Sequence, residues 1–108
     1  MKIQIVNTVW TIHLLGPRQF LKVNGKSFKA ADGVTDTNTY NVYLRKDRFT
    51  IETIRHELFH CYFDSTHTES AFLSKDQIEE TAASLMGKYC KELTDKSDEV
   101  FNFFINKL

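Results

Sequence analysis

The chain has 108 residues, 42% apolar and 13% aromatic, which is enough for one folded domain with a core and too apolar for a disordered segment. Its 14 Lys and Arg balance its 14 Asp and Glu, so no basic field marks it as a dedicated nucleic-acid binder. No run of apolar residues is long enough to span a bilayer, and the first residues lack the features of a secretory leader, so a cytoplasmic protein is the expectation.

Residues 2–6 alternate Lys, Ile, Gln, Ile, Val and predict a strand. Asn7-Thr8 reads as a turn. Val9 to Leu15 reads as a second strand, with His13 as a half-exposed strand residue. Gly16-Pro17 breaks that run. Residues 20–23 suit a short strand or a helical turn. Asn24-Gly25 signals a hairpin, with 26–30 as the return. Ala31-Asp32-Gly33 reads as a loop, and 35–38 as polar chain. Thr39 to Arg45 is rich in β formers and predicts a strand.

From Phe49 to Phe63 the periodicity is helical. Ile51, Ile54, Leu58, Cys61 and Tyr62 share one arc, while Thr53, His56 and His60 share the opposite one. This stretch contains His56-Glu57-Leu58-Phe59-His60, an H-E-x-x-H motif. Two histidines four apart lie one turn apart on the same helix face, so both rings can reach one metal ion. The glutamate between them points about 100° around the helix, where it can serve as general base to a metal-bound water.

A zinc site of this kind needs a third protein ligand. The metzincin continuation would place Gly at 63 and His at 66, but Phe63 and Thr66 stand there. Asp64, one turn beyond His60, is a candidate if the helix stays regular. Glu79 and Glu80 are the others. They open a predicted helix capped by Ser74, with Gln77 at the capping-box position, running to about Leu93. Ile78, Ala82, Leu85, Met86, Tyr89 and Leu93 form its apolar arc. Glu80 lies opposite that arc among Ala83, Ser84 and Gly87, whose small size permits close helix approach. Glu80 is therefore preferred over Glu79. Residues 94–96 read as a break before a last helix with a stripe of Val100, Phe101, Phe104, Ile105 and Leu108. Cys61 and Cys90 read as a pair of small buried hydrophobes, with a disulfide between the two helices as the alternative if their Cα atoms come within about 7 Å.

The segment Glu80 to Gly87 resembles the E-x-x-x-D segment of thermolysin-type gluzincins. In that clan the Glu binds zinc and the residue four later orients the first metal-binding histidine. Ser84 stands where Asp is usual. The chain's size, and the lead-in from Gly33-x-Thr35-Asp36 to Asn41-Val42-Tyr43-Leu44, also resemble small zincin-like proteins of phages and mobile elements. The resemblance implies a zinc-dependent metallopeptidase acting on a peptide or protein substrate. His56, His60 and Glu80 (alternatively Glu79) would hold Zn2+, with Ser84 orienting a histidine and Glu57 as base. His67, in the polar segment after the motif, would stabilise the oxyanion. It further implies that the strand before the motif helix is the sheet edge along which an extended peptide lies. The alternative is a zincin-like protein with structural zinc that binds a protein partner.

The expected fold is a single α+β domain over 1–108. A small antiparallel or mixed sheet lies within 1–48, and three helices with the metal site within 49–108.

Overall fold

The structure, a computed structural model, describes residues 1–66 and 74–108. Strand β1 (Lys2–Ile5) pairs antiparallel with β2 (Thr8–Leu15) through a tight turn in which Val6 takes φ 56°. Helix α1 (Pro17–Asn24) follows, then β3 (Gly33–Asp36) and β4 (Asn41–Arg45). Strand β4 runs parallel to β2 and antiparallel to β3, giving a mixed four-stranded sheet in the order β1-β2-β4-β3. Helices α2 (Ile51–Thr66) and α3 (Lys75–Phe104) follow the sheet. The α+β class, a small mixed sheet followed by helices, is as expected; among the described residues α1 lies between the strands and the α-helices after the sheet are α2 and α3.

Period-two alternation sends Ile3, Ile5, Trp10, Ile12, Val42 and Leu44 to one face of the sheet, and all are buried there. Ile54, Leu58, Cys61 and Tyr62 of α2 meet them, joined by Leu85, Leu93, Val100 and Phe104 of α3. The arc read as the core side of α2 is thus the buried one, with Ile51 half-buried at its edge. Among the described residues, no helix is long and apolar enough to cross a membrane.

One open alternative is decided, for the helical turn at 20–23, and three local expectations are corrected. Residues 17–24 are helical because Pro17 supplies a preset φ at the first position, where its missing N–H is no loss. Asn24-Gly25 then ends that helix instead of turning a hairpin: Gly25, at φ 100°, donates its N–H to the Leu21 carbonyl at 2.7 Å. The supposed break at 94–96 is absent, and α3 runs through it. No Gly or Pro interrupts that stretch, and Thr94 and Ser97 turn their hydroxyls back to the Cys90 and Leu93 carbonyls at 2.9 and 2.7 Å. Cys61 is buried but Cys90 is exposed; both are free thiols. Burial, and after it the charge of Glu57, pushes the Cys61 thiol far up.

The other sheet face carries a separate small contact. Phe20 of α1 is fully buried, with the Arg45 guanidinium 5.4 Å over its ring. Arg45 donates to the Lys29 and Ala31 carbonyls at 2.8 and 3.3 Å and forks onto Asp47 at 3.1 and 2.8 Å. The hydrogen bond from Arg45 holds the Asp47 carboxyl below the usual carboxylate range. These bonds tie the chain before β3 to the end of β4. Arg45→Ala is expected to cost about 2–3 kcal/mol in a urea titration, since a buried cation's bonds and its packing on Phe20 are lost together. A loss within experimental error of zero would show that water replaces them.

Candidate metal centre

Helix α2 opens on Thr50, whose Oγ1 accepts from the Thr53 N–H at 3.1 Å. From there the helix is regular to Thr66, so His56, His60 and Asp64 form one stripe at four-residue spacing. The His56 and His60 rings are edge to face, with centroids 4.8 Å apart. Their Nε2 atoms are 3.2 Å apart. A tetrahedral zinc with nitrogens 2.0–2.1 Å away would hold two ligand nitrogens about 3.3 Å apart. The two imidazoles therefore fit a zinc pair. The same spacing also suits an N–H of one ring donating to the bare nitrogen of the other.

Glu57 has a different setting. The His56 side chain is 69% exposed, whereas that of Glu57 is only 7% exposed. Its Oε2 is 4.0 Å from His56 Nε2. Its Oε1 accepts from the Thr35 hydroxyl at 2.9 Å. Thr35 Oγ1 also lies 3.1 Å from the Glu57 backbone carbonyl; with one proton, it serves one of the two acceptors at a time.

These groups open into a groove of about 540 Å³ bounded by α2 and β3. Gly33, Val34 and Thr35 form one wall, and His56, Glu57 and His60 the other. Phe28, Phe63 and Asp64 extend it toward the C-terminal end of α2. Burial raises the Asp64 carboxyl above its ordinary range. A second depression of about 410 Å³ shares Gly33, His56 and Glu57 and continues toward Asp32, Glu52 and Thr53. His56 and Glu57 thus sit where two depressions meet, and His60 lines the first of them.

The structure brings His56, Glu57 and His60 together, with Asp64 in the same groove. Glu79 and Glu80 lie in the first turns of α3, and Ser84 one turn on; all three are exposed and none lines the groove. Among the described residues, no three His, Cys, Asp or Glu side chains converge on one point. His67 lies outside the described residues. His13 is half-buried on β2, bonded to Asn41 Oδ1 at 2.8 Å and stacked on Tyr43 at 4.9 Å, away from the groove.

The strand expected at the sheet edge needs correcting. β4 is interior, paired on both sides, and the edge beside α2 is β3, from a stretch read as loop and polar chain. The sequence did carry a signal. Val34-Thr35 is a β-branched pair, and it lies opposite Tyr43 and Val42 in the register.

Compared with protein-family models, curated proteins and solved structures, the chain gives no match in any of the three.

Proposed function

We propose that this chain is a cytoplasmic, zinc-dependent metallopeptidase of the gluzincin kind, similar to the small zincin-like proteins of phages and mobile elements. One observation carries the reading: two imidazole nitrogens 3.2 Å apart, with a nearly buried carboxylate alongside them, in a groove bordered by an open strand edge.

His56 and His60 would hold the ion. Glu80, or Glu79 beside it, would be the third donor from α3; Asp64, already in the groove, is the rival. Zinc, when bound, supplies Lewis acidity that brings the pKa of a coordinated water to about 7 and polarises a carbonyl. Glu57 accepts a proton from the attacking water and returns it to the departing amine. A peptide laid along the free edge of β3 would gain main-chain hydrogen bonds with little demand on its sequence. His67 would donate to the developing oxyanion. The substrate is a peptide or protein, with no role for nucleic acid.

A second reading is a zincin-like protein that holds zinc structurally and binds a protein partner. Ser84, where the clan has Asp, weakens the catalytic reading, and the solvent-facing positions of Glu79 and Glu80 weigh against either as third ligand in both readings. Metal analysis beside a broad peptide-library digest separates the two. The wild type is expected to carry one zinc and to cleave; Glu80→Ala is expected to lose most of the metal, and Glu79→Ala and Asp64→Ala to keep it. Stoichiometric zinc with no cleavage favours the binder. A metal-free wild type after zinc reconstitution sinks both.

A further inference from the structure

Residues 33 and 35 of β3 are two apart and so project from the same strand face. That face meets Glu57 at two places. A Cβ at Gly33 would come within 2.9 Å of Glu57 Cγ, 3.2 Å of its Cδ and 3.2 Å of the Tyr43 carbonyl. Only a hydrogen at this position lets the Glu57 side chain lie flat against the strand. Two residues on, the Thr35 hydroxyl reaches Oε1 at 2.9 Å and the Glu57 carbonyl at 3.1 Å. One hydroxyl therefore touches both the carboxylate and the main chain of the same residue. Threonine suits this, because its branched Cβ leaves χ1 little freedom.

A glutamate has three side-chain torsions, and an unrestrained one would sample many rotamers. Here the strand occupies one side of the chain and binds one oxygen. The other oxygen, Oε2, has no hydrogen bond among the described residues and is the one 4.0 Å from His56 Nε2. We propose that β3 is the positioning element for Glu57. Gly33 gives the clearance and Thr35 the anchor, selecting the rotamer that holds Oε1 and turns Oε2 to the histidine pair. The catalytic consequence rests on the peptidase reading; the geometric claim does not. Thr35 acts through Glu57 and is a positioning residue.

The test uses the full chain. Thr35→Val removes the hydroxyl at nearly constant shape, Thr35→Ser keeps the hydroxyl and removes the methyl, and Gly33→Ala adds the Cβ. With zinc loaded and a peptide taken from the library digest, Thr35→Val is expected to lower kcat roughly ten- to a hundredfold, with KM within about twofold. Thr35→Ser is expected to recover most of that loss. Side-chain carbon coupling constants of Glu57 in the zinc-free protein give a readout independent of activity. They are expected to report one rotamer in wild type and Thr35→Ser, and averaging in Thr35→Val. Should Gly33→Ala fail to fold, the threonine pair alone decides. Wild-type kcat in Thr35→Val, Thr35→Ser no better than Thr35→Val, or an unaveraged Glu57 in Thr35→Val would each overturn the proposal. A wild type that cleaves nothing ends the peptidase reading instead, and the coupling constants then judge the clamp by themselves.

Discussion

Glu57→Gln is expected to bind zinc as wild type does and to hydrolyse peptides about 10²- to 10⁴-fold more slowly, the usual contribution of a positioned general base. The substitution is nearly isosteric. The amide oxygen still accepts from Thr35, so the side chain keeps its place against β3. Neither histidine changes, so the spacing of the nitrogen pair is unaffected. What disappears is the ability to accept a proton, because an amide is not a base near neutral pH. The check is a parallel measurement of bound zinc and of kcat/KM on one peptide. Undiminished cleavage with full metal occupancy would exclude Glu57 as the base. Lost zinc would mean that the carboxylate supports the metal pair and not only the reaction.

The sequence makes α2 legible because two signals coincide there. The apolar arc of Ile54, Leu58, Cys61 and Tyr62 and the polar arc of His56 and His60 are offset on one regular helix, and that helix has no Gly or Pro to disturb the phase. Glu57 is where phase alone falls short. It lies between the two arcs, and its burial depends on a strand that meets α2 only in three dimensions. β3 is four residues long, with Gly and Asp at its ends, so its local composition reads as loop. Pairing with β4 decides its state, and pairing is a long-range property. The same holds for Asn24-Gly25. That dipeptide suits both a hairpin and a helix stop, and Pro17 eight positions earlier settles the matter. The sequence leaves the distance of Glu79 and Glu80 from the histidines open for a related reason. Helical phase fixes their direction relative to the α3 core stripe, but not how far the first turns of α3 stand from the histidines.

Leu58 and His60 allow the two faces of α2 to be separated by experiment. Leu58 is 1% exposed, inside the cluster shared by the sheet and α3. Leu58→Ala removes apolar contact and leaves a cavity, at a cost of about 2–5 kcal/mol. For a domain of this size that is a large share of the roughly 5–15 kcal/mol total, and Tm is expected to fall by about 10–25 °C. Zinc should still raise the Tm of the folded variant, because the histidine pair is untouched. His60→Ala works the other way. Its ring is exposed and contributes little to the core, so zinc-free stability is expected to stay within about 0.5 kcal/mol of wild type. The zinc-dependent rise in Tm, which follows from binding to the folded state only, is expected to vanish. Cleavage should vanish with it. Thermal melts of wild type and both variants, each with and without zinc, check all of this in one experiment. If His60→Ala kept the zinc-dependent shift, the ion would sit elsewhere; if Leu58→Ala melted like wild type, the buried arc of α2 would not be the face that holds the domain together.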